Sequence, residues 1–201
     1  LTNSIVCLAL ETDLDIGLNS ANGGEKTNIE FKVTKINKDR TVIKKINNKP
    51  AAQEFIRLMN FQKDSLETRW APITLKYPLS YTYNNELFLR PIIMMLGDYI
   101  GLGSKFESEQ GFIASMSQTN MISAVDELLK IEKPEFGILV SCTFRQSFLG
   151  IKIFEIQDKL KKYFQEKPFL VIYSPGEGIY EPNIGLQHLA ETITSAIFHK
   201  K

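Results

Sequence analysis

From Met121 to Tyr173 the chain switches repeatedly between helical and strand periodicity, and that switching constrains its fold more than any other feature. Behind Ser117 or Thr119, both suited to an N-cap, Met121, Ile122, Val125, Leu128 and Leu129 form one apolar stripe, with Asp126, Glu127 and Lys130 on the other side. Pro134 closes that helix, and Phe136-Gly-Ile-Leu-Val-Ser-Cys142 follows as a buried strand. Leu149, Ile153, Ile156, Leu160 and Phe164 mark a second amphipathic helix, whose Lys159, Lys161 and Lys162 suit the negative end of its dipole. Phe169-Leu-Val-Ile-Tyr173 is the next strand. This series predicts an α+β or α/β fold, a layered sheet with amphipathic helices packed on it.

The earlier residues add strands and turns. The short apolar run Ser4–Leu10 suits a buried strand. Asn19 to Thr27, with Asn22-Gly23-Gly24, reads as a loop. Ile29, Phe31 and Val33 then alternate with polar residues as a half-buried strand, Asn37-Lys-Asp-Arg40 turns the chain, and Thr41 to Ile46 returns as the partner. Pro50 suits the first turn of a helix carrying Phe55, Ile56 and Met59, which ends near Asn60. Residues 61–110 read as strands and loops, with Trp70, Tyr77-Pro-Leu79, Tyr81, Tyr83 and the apolar group Pro91–Leu96. The stretch Ile193 to Phe198 fits a strand or a helix end.

A chain of 201 residues with 43% hydrophobic and 23% charged residues has enough apolar material for one large domain. The net charge of +1 gives no broad attraction for nucleic acid or anionic membrane. The basic stretch Lys35–Lys49 alternates with Val42, Ile43 and Ile46, as a solvated hairpin face would. No apolar run approaches the roughly 20 residues that cross a bilayer. Cys7 and Cys142 are the two cysteines, far apart, which fits a reducing, cytoplasmic compartment. The first residues lack the basic leader and cleavage site of a signal peptide, and without an initiator Met the chain is expected to continue upstream.

Two cysteines and two unpaired histidines do not supply the three or four ligands of a zinc site, so neither a metal nor a cofactor is expected. Gly101-Leu-Gly103-Ser-Lys105 fails both the Walker and the dinucleotide patterns and reads as a tight turn. Gly176-Glu-Gly178 lies just past a buried strand, where open sheets place ligand crevices, although on the residues alone a turn with an exposed acid is the favoured reading. Cys142 ends a strand three residues before Arg145, whose charge would favour the thiolate. A catalytic thiol also wants a base, for which His188 is the candidate, and a buried structural cysteine is the competing reading. Arg90 with Arg145 would clamp a carboxylate through planar guanidinium groups, or serve as ordinary ion-pair residues.

Several short pieces fall in one order: Val33-Thr-Lys35, Lys49-Pro-Ala51, Tyr77-Pro-Leu79, Arg90, Glu109-Gln-Gly111, Cys142-Thr-Phe-Arg145, Leu149-Gly150, Glu155 and Tyr173-Ser-Pro-Gly-Glu177. In order and spacing they resemble the C-terminal half of the FIST family of sensory proteins. Residues 1–25 resemble the end of the family's N-terminal region, and residues 26–201 the C-terminal sensory domain. The resemblance implies intracellular signal transduction and a small ligand, amino acids and related metabolites being candidates. It singles out Cys142, Arg145, Tyr173, Gly176 and Glu177, with Arg90 beside them. The chain departs from the family by inserting Ser174-Pro175 before Gly176, and by Ala190-Glu191-Thr192 in place of an Asn-x-Thr-like element.

The leading expectation is therefore a cytoplasmic sensory domain that binds a small ligand and signals to a protein partner, Arg145 holding an anionic group, Glu177 an amine or hydroxyl, and Tyr173 forming a wall. One alternative is a thiol-dependent enzyme using Cys142. Another is an interaction or assembly domain without a small ligand, marked by an apolar patch at Ile92–Leu96.

Overall fold

The computed structural model describes residue 7 and residues 9–62, 72–181 and 185–201. Most of the expected strand Ser4–Leu10 lies outside these residues, as does Trp70; Cys7, Ala9 and Leu10 carry no strand. The fold is α+β.

β1 (Asp15–Ala21) leads into the long β2 (Gly24–Ile36), then β3 (Val42–Ile46) and the two-residue β4 (Lys49–Pro50). The expected loop Asn19–Thr27 is thus corrected: its two ends are strand, and Asn22-Gly23 alone turns the chain. The β2–β3 turn forms as expected, because the Asn37 Oδ1 accepts from the backbone N–H of Thr41 at 2.8 Å and of Val42 at 2.9 Å. α1 (Ala51–Leu58) starts behind Pro50 and buries Ala51, Ala52 and Phe55. β5 (Leu79–Tyr83) and β6 (Glu86–Arg90) form one antiparallel hairpin, β7 (Ile92–Leu96) and β8 (Tyr99–Leu102) another, before β9 (Gln110–Met116).

α2 (Gln118–Leu128) is capped by Ser117, whose side chain accepts from the Asn120 N–H. β10 (Pro134–Cys142) runs into α3 (Thr143–Leu149) with no loop between them. The second amphipathic helix therefore starts before Leu149 and is interrupted: a 3₁₀ turn, Gly150–Lys152, separates α3 from α4 (Ile153–Phe164). β11 (Phe169–Ser174), the hairpin β12 (Glu177–Glu181) with β13 (Gly185–Leu189), and β14 (Ile193–His199) complete the chain. The stretch Ile193–Phe198 is strand.

β1, β14, β10 and β11 make a four-stranded sheet in that order. β10 and β11 are parallel, their crossover being α3 and α4, while β14 runs antiparallel to both its neighbours. β1 thus precedes the expected boundary at residue 25 yet pairs along its whole length with β14. The larger sheet runs β6-β5-β9-β2-β3-β8-β7, with β4 added to β3. β9 shows why it holds two cores: Ile113 packs into one with Phe31, Ile43 and Phe55, while Phe112, Ala114 and Met116 face another with α2 and α4.

One face of the four-stranded sheet is covered by these helices. The other carries rows such as Leu18, Ala196, Ile138 and Leu170, paired strand to strand, and Ile16, Leu18, Leu170 and Ile172 on its edges are 44–50% exposed. At the expected patch Ile92–Leu96, Ile92 is buried while Met94 and Leu96 are exposed at the edge of the larger sheet. Among the described residues no helix is long and apolar enough to cross a membrane.

Candidate functional site

Cys142 is the last residue of β10, opposite Ser174 at the end of parallel β11, so it sits where two parallel strands deliver their C-terminal ends together. Arg145 follows within α3, one turn on, and is fully buried. Its Nη1 donates to the carbonyl of Asn22 at 2.7 Å and, more distantly, to that of Glu191 at 3.5 Å; its Nη2 donates to the carbonyl of Met121 at 2.8 Å. The guanidinium is thus engaged by three backbone segments, and its Nε is buried without a partner.

The β11–β12 corner brings Glu177 to the same place. Ser174 Oγ donates to the Gly176 carbonyl at 2.7 Å, and the corner releases Glu177 into a buried position. Its Oε2 accepts from Thr192 Oγ1 at 2.8 Å, the Cys142 thiol lies close enough to interact with the same carboxylate, and Oε1 has no hydrogen-bond partner. Glu191 stands beside them at φ +57°, buried, with both carboxylate oxygens unpartnered. Four buried ionisable side chains thus meet here, from the β10–α3 junction, the start of β12 and the residues before β14.

Burial sets their protonation. It pushes the Glu177 carboxyl up to about 7, against the pull of Thr192, Cys142 and Arg145. Glu191 is raised well above the carboxylate range by burial, which outweighs its attraction to Arg145. Burial and then the Glu177 charge push the Cys142 thiol up to about 12, and burial brings Arg145 down to about 10. A thiol so disposed is held protonated at neutral pH, the opposite of the activated nucleophile that the thiol-enzyme alternative needs.

The remaining expected residues lie around this cluster without joining it. Tyr173 pairs with Ser141 and lines a separate cavity of about 280 Å³ with Val171, Ile156 and Leu160. Gly176 makes room for His188: a Cβ there would stand 2.8 Å from His188 Nε2. His188 in turn borders a cavity of about 440 Å³ with Arg90, Ser104 and Lys105. Arg90 is buried and donates from Nη2 to Tyr81 Oη at 2.7 Å and from Nη1 to the Leu89 carbonyl at 2.9 Å. Burial and the Arg90 charge lower the His188 pKa.

Hairpin β12–β13 lies between these two places. Its Ile179 and Leu189 pack into the core beneath the larger sheet, its first residue Glu177 enters the buried cluster, and His188, Gln187 and Leu186 line the open cavity. Sequence reasoning missed Glu191 and Thr192 as members of the cluster. The departure at Ala190-Glu191-Thr192 was the signal that marked them. Among the described residues no group of three or more His, Cys, Asp or Glu side chains is disposed to hold a metal ion. Comparison with family models, with curated proteins and with solved structures gives no match for this chain.

Proposed function

We propose that this chain is a sensory domain that binds a small molecule in the open cavity beside hairpin β12–β13 and passes the event to a protein partner. One observation carries the reading: the hairpin has an open, polar cavity on one side and buried ionisable groups with unpartnered polar atoms at its base. Buried polar atoms without hydrogen bonds are costly and rare, so an arrangement of the hairpin that satisfies them competes with the one seen, about the fixed point that Arg145 provides. A ligand that prefers one arrangement of the hairpin shifts the population toward it. The resemblance to FIST sensory proteins supports the same function and a cytoplasmic setting. It directs attention to Cys142, Arg145, Gly176 and Glu177 at the base and to Arg90 in the cavity.

Within this reading Arg145 anchors the base and Arg90 meets the ligand, because Arg90 lines the open cavity whereas both Arg145 Nη atoms donate to backbone carbonyls at the buried cluster. The test is a thermal-shift screen of small metabolites, amino acids included, on the wild type and on Arg90→Lys and Glu177→Gln. A ligand at 100 times its Kd adds about 2.7 kcal/mol to stability. The reading expects a compound that stabilises the wild type and loses its effect in Arg90→Lys. A panel that leaves the wild type unmoved argues for an interaction domain instead.

A further inference from the structure

Arg90 is a buried cation that forms no ion pair among the described residues. The residue is 3% exposed; its guanidinium stacks on the Tyr81 and Phe88 rings at 5.1 and 5.4 Å, and gives hydrogen bonds to neutral acceptors: the Lys105 and Leu89 carbonyls and the Tyr81 hydroxyl. Among the described residues no carboxylate forms an ion pair with it, and Glu107 reaches it through its field alone. Buried charges are ordinarily paired, because desolvation costs several kcal/mol per ion. Here the unpaired charge borders an open cavity of about 440 Å³.

That cavity holds a second unsatisfied group. Ser104 is 5% exposed, lines the same cavity, and its Oγ has no hydrogen-bond partner. Lys105, Thr41 and His188 complete the polar wall, so the Gly101–Lys105 segment, read from sequence as a tight turn, puts a hydroxyl and a cation beside Arg90. With Arg90 and Lys105 positive, Glu107 negative and His188 kept neutral, the net charge facing the space is a single positive one. This matches a monoanion better than a doubly charged phosphate. An adjoining cavity of about 370 Å³ shares Glu107, Leu186 and Gln187 with the first and is walled by Tyr81, Tyr83 and Phe88.

We propose that Arg90, Ser104 and Lys105 recognise the carboxylate of a small organic monoanion, whose aromatic or apolar body lies across Gln187 against Tyr81, Tyr83 and Phe88. Arg90 retains one free N–H on each Nη for the two carboxylate oxygens, and Ser104 Oγ supplies a third donor. This rests on the small-ligand reading above and names the ligand's class.

The test is a ¹⁵N NMR titration of the whole chain with three probes: phenylacetate, its neutral analogue phenylacetamide, and inorganic phosphate. Phenylacetate is expected to shift the amide resonances of Ser104, Lys105 and His188 saturably, with phenylacetamide and phosphate each weaker by about tenfold or more. Ser104→Ala removes an oxygen that bonds to nothing in the fold and so tests recognition without disturbing folding; it should weaken phenylacetate about three- to tenfold. Equal binding of phenylacetamide overturns carboxylate recognition while leaving a ligand site in place. If phenylacetate moves none of these resonances at about 10 mM but a metabolite raises the melting temperature, the ligand class is wrong and the sensor reading stands. If neither occurs, both fall.

Discussion

The Arg145 guanidinium donates to the carbonyl oxygen of Asn22 at 2.7 Å, a bond between residues 123 positions apart that ties α3 to the turn between β1 and β2. With the bond to the Met121 carbonyl it fixes three segments around one buried cation. Arg145→Met leaves these carbonyls without their donor and should cost about 3–5 kcal/mol in urea unfolding. Lys159→Met, which breaks the exposed pair with Asp126, should cost less than about 1 kcal/mol. Similar losses for the two variants would contradict the anchoring role.

The Glu177 carboxyl, held at about 7 in the folded chain, makes stability fall with pH over a defined window. Below about 4.5 both states are protonated and its contribution is complete; as pH rises toward 7 the unfolded chain ionises first, so stability declines. The loss reaches up to about 3 kcal/mol and levels off above pH 7 for this group. Glu177→Gln should flatten the slope between pH 5 and 7 by about that amount, as chemical unfolding at each pH would reveal.

Glu54 works in the other direction. Its carboxylate accepts from Arg57 at 2.6 and 2.7 Å and from Asn47 at 3.1 Å, and the Arg57 bonds chiefly hold it down to about 2. Its stabilisation is present above about 4.5 and is lost as pH falls through about 2. Because Arg57 is half exposed, solvent screening limits the loss in Glu54→Gln to about 1–2 kcal/mol at neutral pH. For Glu54 and Glu177 together the contribution to stability is largest near pH 5, which a thermal-unfolding series across pH on the wild type, Glu54→Gln and Glu177→Gln checks.

Cys142 and Cys7 should differ sharply toward iodoacetamide. Cys7 is exposed, whereas Cys142 is buried with its thiol pushed up to about 12. The folded chain is expected to label at Cys7 and to protect Cys142 until urea unfolds it. Fast labelling of Cys142 in the native state would revive the thiol-enzyme alternative.

Gly23 turns the chain at φ +80°, and a Cβ there would lie 2.6 Å from the Asn120 carbonyl oxygen. Gly23→Ala forces backbone against backbone and should destabilise by more than about 1 kcal/mol, read as a lower urea midpoint. An unchanged midpoint would mean that the β1–β2 turn does not pack on the start of α2.

Elements whose signals are local were legible in the sequence. Pro50 before α1, Ser117 before α2, and the apolar runs of β10 and β11 each carry their own start or period. Asn19–Thr27 was not, because its polar, glycine-rich composition favours a turn while its strand state is imposed by β14 and β9, far along the chain. The break between α3 and α4 was hidden for a different reason, since the apolar spacing from Leu149 to Phe164 continues across it. At the site, Cys142, Arg145 and Glu177 were singled out and do converge, but their roles depend on what covers them. An acid in Ala190-Glu191-Thr192 reads as exposed, and its burial is decided by Arg145, β12 and β14 together.

Hydrogen–deuterium exchange, with and without the compound that most raises the melting temperature, tests most directly whether ligand in the cavity acts on the buried cluster through β12–β13. Slower exchange is expected in residues 177–181 and 185–189 and also at Cys142 to Arg145, which belong to the cluster and not to the cavity lining. Protection confined to other surfaces, or to the cavity with Cys142–Arg145 unchanged, would contradict that coupling.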